Sequence, residues 1–340
     1  MFGSNELGLD LGTSMLHIAI GDKGGMLSEP SYVAFEQDTR KIIAVGTEAF
    51  RMYGRTPAGI VVERPLSQGH IRSFDLVSKM LRYFLKRVAK RRGLMRPRLL
   101  MALPGGLAPS ERQTLIDVAV DAGVRSVIPV DESVAAAIGA GVHIEQPYGR
   151  MIVDIGGART NLSVFSLGHQ ILWEIWDGGG DMFDAAVIDY VRRKHNLVIG
   201  ERSAEELKIN LGSARLRDAH LEEEVYGRSL ISGLPRAVTV NSEEMAEALL
   251  PPIRELTGYL QRLLERTPPE LASDIFDEGI TLCGGGAKLV GLDEVLTDQL
   301  KINVRVVDEP EYCVAHGLVE LISNPDNYEN IDLVSTLSAE

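Results

Sequence analysis

A segment in the middle of the chain shows a clear pattern of apolar and polar positions. It covers residues 151–165, with the sequence MIVDIGGARTNLSVF. An apolar run ends at Asp154, passes through Gly156 and Gly157, and resumes with apolar residues at every second position. Such alternation is typical of β-strands, and glycines between two strands are typical of a tight turn. The segment therefore predicts a β-hairpin with glycines at its tip.

The same pattern occurs near the start of the chain, in residues 7–20 (LGLDLGTSMLHIAI). Asp10 ends the first apolar run, Gly12 and Thr13 follow, and alternating apolar residues resume. The two copies lie almost half a chain apart, which indicates a repeat of two half-chains, each opening with an acidic hairpin. The alternative is two unrelated hairpins.

The chemistry of these hairpins suits a phosphate bound to Mg²⁺. Glycine lets a ligand approach the backbone amides closely, and a carboxylate beside them can hold a metal ion through water. Two such hairpins facing across a cleft would hold a triphosphate from both sides. A third glycine run, Gly284–Gly286, follows the predicted strand 279–283 and would offer amides to a phosphate or a nucleoside.

Between these motifs, strands alternate with helices, which predicts α/β architecture. Residues 75–88 carry an apolar stripe with helical spacing, and we expect Asp75 to cap that helix. Other N-terminal caps are predicted at Ser110 with Gln113, Ser203 with Glu206, and Asn241 with Glu244. We expect the helix after Asn241 to kink or break at Pro251-Pro252.

Composition indicates an ordinary globular chain with enough apolar residues for a large core. It has 340 residues, 45% hydrophobic and 24% charged, and about two domains are expected. The net charge of −13 argues against nucleic acid as a partner. Two cysteines and no apolar run of membrane-spanning length favour a cytoplasmic location. The seven histidines show no metal or catalytic spacing.

A basic segment departs from the acidic average. Eight basic residues fall within residues 82–98, and the run is interrupted by the apolar pair Leu94 and Met95. One interpretation is a loop that contacts an anionic membrane surface through these two side chains. The other is a solvated helix end with two incidental apolar residues.

Ten stretches, in order, resemble the MreB family of bacterial actins, within the actin-like ATPase superfamily. They are LGLDLGT, AVGTEAFRMYGRTP, VDESVAAAIGAG, MIVDIGG, GGGDMFDAAVIDYVRRKHNL, IGERSAEELKINLGSA, RSLISGLP, TPPELASDIFDEGI, CGGGAKLVGLDE and EYCVAHG. The resemblance implies an actin-like two-lobed α/β fold with duplicated ribonuclease-H-like sheets and a smaller subdomain inserted in each lobe. The implied division is residues 1–30, 73–145 and 310–340 for the first lobe core, 31–72 for its subdomain, 146–180 and 242–309 for the second lobe core, and 181–241 for its subdomain.

The resemblance also implies a nucleotide site that holds ATP, or GTP, with Mg²⁺. Glu132 would orient the attacking water, and Asp10 and Asp154 would hold Mg²⁺ through water. The residues implied to bind the nucleotide are Asp10, Gly12, Thr13, Asp154, Gly156, Gly157, Gly179, Gly180, Asp181, Glu205, Lys208, Gly284, Gly285 and Gly286. Leu94 and Met95 would correspond to an apolar membrane-insertion loop.

The chain departs from the family pattern at the phosphate hairpins. Typical members read DLGTANT and DIGGGTTE where this chain has DLGTSML and DIGGARTN. Met15 and Leu16 replace polar residues, Ala158 replaces a glycine, and Arg159 adds a cation. A phosphate that lacks one amide hydrogen bond is bound more weakly by about 1–3 kcal/mol. We therefore expect a divergent member that keeps nucleotide binding and has weakened ATPase activity.

The function that the resemblance implies is a nucleotide-dependent filament protein that organises cell-wall synthesis and maintains rod cell shape. Its implied partners are other copies of itself in double protofilaments, paralogues, the inner face of the cytoplasmic membrane, and membrane-anchored cell-wall elongation proteins. Two alternatives stay open from the sequence: a small-molecule kinase of the same superfold, and a filament that positions plasmids or organelles.

Overall fold

The computed structural model describes residues 6–21, 25–92, 96–217 and 219–334. The elements of the first half of the chain are, in order, β1 (Glu6–Leu11), β2 (Met15–Ile20), β3 (Gly25–Pro30), β4 (Val33–Glu36), β5 (Ile42–Val45), α1 (Thr47–Met52), β6 (Ile60–Glu63), β7 (Leu66–Ser67), β8 (His70–Ile71), α2 (Phe74–Arg92), β9 (Arg98–Leu103), α3 (Pro109–Asp121), β10 (Ser126–Asp131) and α4 (Glu132–Gly139).

The second half opens with another hairpin and is richer in helix. Its elements are, in order, β11 (Arg150–Ile155), β12 (Thr160–Ser166), β13 (His169–Trp176), α5 (Gly180–His195), β14 (Leu197–Val198), α6 (Glu201–Leu211), β15 (Glu222–Ser229), β16 (Pro235–Asn241), α7 (Ser242–Arg266), α8 (Pro269–Glu278), β17 (Ile280–Cys283), α9 (Leu292–Leu300), β18 (Val304–Val306) and α10 (Cys313–Ser323).

The two halves build five-stranded sheets of the same topology. The first sheet has the order β10-β9-β1-β2-β3, and the second has β18-β17-β11-β12-β13. In each sheet the hairpin and the strand after it are antiparallel, and two later strands extend the sheet in parallel. Both predicted hairpins and the repeat of half-chains are therefore confirmed.

Smaller sheets lie beside the two large ones. In the first half, β5-β4-β6 form a three-stranded sheet and β7-β8 a two-stranded one, all within the stretch 31–72. In the second half, β14-β15-β16 form a three-stranded sheet within 181–241. The domain boundaries themselves stay predictions.

Helices α4 and α10 cross in a core of their own, which also includes Leu100 of the first sheet and Ile152 of the second. Glycines allow the close crossing. A Cβ on Gly139 would overlap the backbone carbonyl oxygen of Cys313, and one on Gly317 would overlap that of Ala135. Because backbone faces backbone at both points, neither helix has room for a side chain there.

The predicted capping residues are right for one helix and wrong for three. Asn241 and Glu244 form the expected reciprocal pair at the start of α7. Asp75 instead lies inside the first turn of α2. Helix α3 begins at Pro109, and Glu111 accepts the amide of Ala108 at 2.9 Å. Helix α6 begins at Glu201, before the predicted cap Ser203.

Of the kink or break predicted at Pro251-Pro252, the break is wrong, because α7 runs without interruption through both prolines. Proline has no amide hydrogen, so the helix has two fewer backbone donors there. The helix is held on both sides of the pair by a buried apolar face that includes Leu249, Ile253 and Leu256. Tertiary packing of this face outweighs the local cost of the prolines.

Candidate functional site

The two hairpin tips face each other across a cavity of about 570 Å³. Asp10 and Gly12 line it from the β1–β2 turn, and Asp154 and Gly156 line it from the β11–β12 turn. The tips approach so closely that a Cβ on Gly157 would overlap the side chain of Ser14. The repeated motifs therefore form two walls of one cleft between the halves of the chain.

Most of the residues implied by the resemblance lie on this cavity. Those that line it are Asp10, Gly12, Thr13, Glu132, Asp154, Gly156, Gly157, Gly180, Asp181, Glu205, Lys208, Gly284, Gly285 and Gly286. Gly179 is not a lining residue but supports the second tip from behind, since a Cβ there would overlap the carbonyl oxygen of Gly156. Leu94 and Met95 lie outside the described residues.

The second tip is fixed by the helix that follows it. At the start of α5, the amide of Gly180 donates to the carbonyl oxygen of Gly156 at 3.0 Å, and that of Asp181 donates to Gly157 at 2.7 Å. Within the turn, the amide of Gly156 donates to the carbonyl oxygen of Arg159 at 2.9 Å. These bonds occupy the tip carbonyls and hold the turn in one conformation, as a preformed anion site requires.

Three carboxyl groups meet at the base of the cleft. Burial, together with the charge of Asp154, raises the pKa of Asp10 to about 7 and that of Glu132 to about 8. Burial raises the pKa of Asp154 itself to about 6, although the Cys283 thiol donates to its carboxylate and opposes the shift. Without a cation the cleft therefore retains protons near neutral pH, and a bound cation would favour the ionised carboxylates.

Glu132 is positioned by its helix and by an amide of the second hairpin. It opens α4 directly after β10, where the Asp131 side chain accepts the amide of Ser133 at 3.0 Å. The Asn161 side-chain amide donates to Glu132 Oε2 at 2.9 Å. Asn161 was not predicted as a site residue. The hairpin register indicates its place, because Asn161 pairs directly with Asp154.

The carboxylates suit a divalent cation that is bound mainly through phosphate and water. Asp10 and Asp154 are close enough for the charge of Asp154 to raise the pKa of Asp10, and both line the cavity. In the described parts of the chain, no group of three or more His, Cys, Asp or Glu side chains is arranged to hold a metal ion directly. This arrangement fits Mg²⁺ held through water and phosphate oxygens, which is how Mg²⁺ usually binds.

Helix α6 and the third glycine run also line the cavity. Lys208 forms an ion pair with Asp184 at 2.8 Å and donates to the carbonyl oxygen of Gly180 at 3.2 Å, so its ammonium group is already paired. Gly284 has a φ of +80°, and a Cβ there would overlap Asp154 Oδ1 and the carbonyl oxygen of Ile155. Glycine is therefore required at this position.

Polar contacts across the cleft join the segments around α1 and β6 of the first half to helices α5 and α6 of the second. Arg64 forms an ion pair with Asp181 at 2.5 Å, and the Tyr53 hydroxyl donates to Glu201 at 2.8 Å. The sequence gives no sign of either contact, because the partners lie more than 100 residues apart. Asp181 therefore has a role in holding the halves together besides lining the cavity.

Comparison with known proteins decides the family. A sequence model described as MreB/Mbl protein matches residues 4–330. The chain belongs to the MreB/Mbl family. It is 40% identical over 323 residues to the cell shape-determining protein Mbl of Bacillus subtilis, covering 95% of this chain and 97% of that one. It is 43% identical over 320 residues to the cell shape-determining protein MreB of Escherichia coli, covering 92% of each.

Solved structures agree with the fold. MreB5 of Spiroplasma citri, crystallised with ADP, superposes with a TM-score of 0.90 at 33% identity and covers 96% of this chain and 97% of its own. The protein of the MamK double helical filament superposes with a TM-score of 0.78 at 20% identity, covering 93% of this chain and 98% of its own. The expected actin-like fold is therefore confirmed.

Proposed function

We propose that this protein is a bacterial actin-like filament protein whose assembly depends on ATP and Mg²⁺ bound in the cleft. The observation that carries the proposal is the pair of acidic, glycine-tipped hairpins facing each other across one cavity. The 33% identical MreB5 of Spiroplasma citri was crystallised with ADP and with AMPPNP, which favours an adenine nucleotide over GTP.

In this proposal the backbone amides of the two tips hold the phosphates, while the Gly284–Gly286 turn and α6 hold the nucleoside. Asp10 and Asp154 would hold Mg²⁺ through water. When bound, Mg²⁺ would neutralise charge on the phosphate oxygens. Glu132, oriented by Asn161, would position a water and accept its proton, so that ATP is hydrolysed slowly.

Self-association is supported by an exposed apolar surface at the β15–β16 turn. Leu230, Ile231 and Leu234 are 51%, 77% and 64% exposed. Three apolar side chains adjacent at the tip of a hairpin are typical of an interaction site. We assign this tip to contact with a second copy of the chain in a filament. The cell-shape role of the named relatives favours such a filament over a small-molecule kinase.

The membrane part of the proposal rests on the basic segment 82–98. Within it, three arginines pair with carboxylates: Arg82 with Asp121 at 3.1 Å, Arg87 with Glu29 at 2.7 Å, and Arg98 with Glu6 at 3.3 Å. Fewer charges are thus free than the sequence indicates. None of the described helices is long and apolar enough to span a bilayer.

Membrane contact would therefore be weak for one subunit. Burying Leu94 and Met95 contributes roughly 1.5–3 kcal/mol each, and each free basic residue adds about 1 kcal/mol near anionic lipid. Only part of this remains after the entropy cost of binding, so a filament with many subunits would bind far more strongly than a monomer. At the inner face of the cytoplasmic membrane, the filament would act with cell-wall elongation proteins and with paralogues to maintain cell shape.

Electron microscopy tests the filament and the membrane loop together. With Mg·ATP, the wild-type protein is expected to form filaments in solution and in larger numbers on an anionic lipid monolayer. The double variant Leu94→Ser, Met95→Ser is expected to keep the filaments and lose the lipid enhancement. Leu167→Ser, which changes a side chain that is 61% exposed elsewhere, serves as control. Dispersed wild-type particles in both conditions would contradict the filament proposal, and undiminished lipid recruitment of the double variant would contradict the loop.

A further inference from the structure

We infer that Arg159 binds the terminal phosphate of a nucleoside triphosphate and gives the cleft a preference for triphosphate over diphosphate. The inference rests on the proposed nucleotide site, and it concerns a residue at which this chain departs from the family pattern. Three observations support it. The guanidinium group lies in the cleft, two of its nitrogen atoms have no hydrogen-bond partner among the described residues, and the lysines that line the same cavity are already in ion pairs.

Arg159 lies at the tip of the second hairpin, and its side chain reaches toward the other half of the chain. Its carbonyl oxygen accepts the Gly156 amide, which fixes the backbone of the tip. A Cβ added to Gly69, in the β7–β8 turn of the first half, would lie 3.0 Å from Arg159 Nη1. The guanidinium group therefore stands in the cleft between the two halves and lines the cavity.

Two nitrogen atoms of the guanidinium group lack hydrogen-bond acceptors among the residues that the structure describes. Arg159 Nε and Nη1 are buried, and neither has a hydrogen-bond partner in the described parts of the chain. Buried donors of a charged group are costly when unpaired, so such a group indicates a missing acceptor. Arg159 lines the cavity, so an acceptor can reach these donors from there, and a phosphate oxygen is one that matches the charge of the group.

Neighbouring cations of the cavity are already paired. Lys208 pairs with Asp184 at 2.8 Å, and Lys288 pairs with Glu311 at 2.7 Å. Arg159 is followed two positions later by Asn161, whose side chain donates to Glu132 at 2.9 Å. The charge of Arg159 lowers the pKa of Glu132 against the larger raising effect of burial, and it also contributes to the lowered pKa of Glu111 in α3. The planar fork of a guanidinium group matches two phosphate oxygens, which makes arginine well suited to this contact.

The position beside Glu132 selects the terminal phosphate. In the proposed mechanism, Glu132 orients the water that attacks the last phosphorus atom. A cation near Glu132 therefore faces the phosphate that a diphosphate lacks. This ion pair would compensate for the weaker phosphate binding expected where Ala158 replaces a glycine, and it would make nucleotide affinity depend on the number of phosphates.

Calorimetric titration of three variants tests this assignment. Below the assembly concentration, wild-type protein is expected to bind both Mg·ATP and Mg·ADP. Arg159→Gln is expected to weaken Mg·ATP binding about 10- to 100-fold and Mg·ADP binding by less than about 3-fold. Arg159→Lys keeps the charge without the fork and should fall between. Arg254→Gln, a charge-matched change at an exposed position of α7, is expected to leave both affinities unchanged.

The outcomes separate the inference from the function on which it rests. If the wild-type protein binds neither nucleotide, the proposed function fails and the inference with it. If wild-type protein binds both, and Arg159→Gln weakens both equally, Arg159 contacts a part of the nucleotide that ADP also has, and the inference is wrong. If Arg159→Gln weakens neither, Arg159 contacts no phosphate, and the inference is also wrong. Thermal unfolding checks that each variant is folded. If Arg159→Gln does not fold, the affinities of Arg159→Lys decide the test.

Discussion

Replacing Glu132 with glutamine is expected to reduce phosphate release from Mg·ATP by about 100-fold or more, to the level of the buffer. Glutamine retains an oxygen that accepts the Asn161 amide, so the geometry of the site is kept. It has no carboxylate to take a proton from the attacking water. Mg·ATP affinity should change little, because the hairpin amides and the two aspartates are unaltered. The measurement is single-turnover phosphate release beside calorimetric binding.

The same variant is expected to stabilise the unliganded protein at alkaline pH. The Glu132 pKa is raised to about 8 in the folded state, so the folded state holds more protons than the unfolded state above about pH 4.5. Stability contributed by this group therefore falls as pH rises from that value to about 8. Glutamine removes the penalty, and a gain of roughly 2 kcal/mol or more is expected at pH 8, with a smaller gain at pH 5.5.

Glu265→Gln is the matched control, since it changes an exposed glutamate on α7. It should alter neither phosphate release nor the dependence of unfolding on pH. If the Glu132→Gln variant released phosphate at the wild-type rate, Glu132 would have no part in hydrolysis. If the difference in unfolding free energy between Glu132→Gln and the wild type were the same at pH 5.5 and at pH 8, the carboxyl groups would be better solvated than their burial indicates.

Replacing Gly317 with alanine is expected to destabilise the fold by about 2–4 kcal/mol. The added Cβ would overlap the carbonyl oxygen of Ala135 in α4, and backbone cannot move aside as a flexible side chain can. The helices would have to separate at their crossing, in the core that joins the two large sheets. Urea unfolding followed by circular dichroism measures the change.

Gly258 of α7 provides the opposite control. The nearest atom to an added Cβ there is Nη1 of Arg262 at 3.7 Å, so the space is open. Gly258→Ala should stabilise the protein by about 0.5–1 kcal/mol through helix propensity alone. If Gly317→Ala were as well tolerated as Gly258→Ala, the close crossing of α4 and α10 would be wrong.

The hairpins and their acidic residues could be predicted because their signals are local. Alternation of apolar residues, a carboxylate at the strand end and glycines in the turn all fall within about 15 residues of one another. The repeat then placed Asp10 and Asp154 in equivalent positions, and the structure brings both to one cavity.

Contacts between distant segments could not be predicted in this way. The pairing of Arg64 with Asp181 and the hydrogen bond from Tyr53 to Glu201 depend on how the two halves close, which no local pattern encodes. Two local rules were overridden for known reasons. Proline at the first helical position sets the start of α3, and the buried face of α7 carries that helix through Pro251-Pro252.

The central claim is that nucleotide in the cleft drives assembly of the chain. High-speed sedimentation of the purified wild-type protein, without nucleotide, with Mg·ADP and with Mg·ATP, tests it most directly. We expect most of the protein in the pellet with Mg·ATP and little without nucleotide, at the same protein concentration. Equal sedimentation in all three conditions would contradict the account, because the cleft would then bind no ligand that matters for assembly.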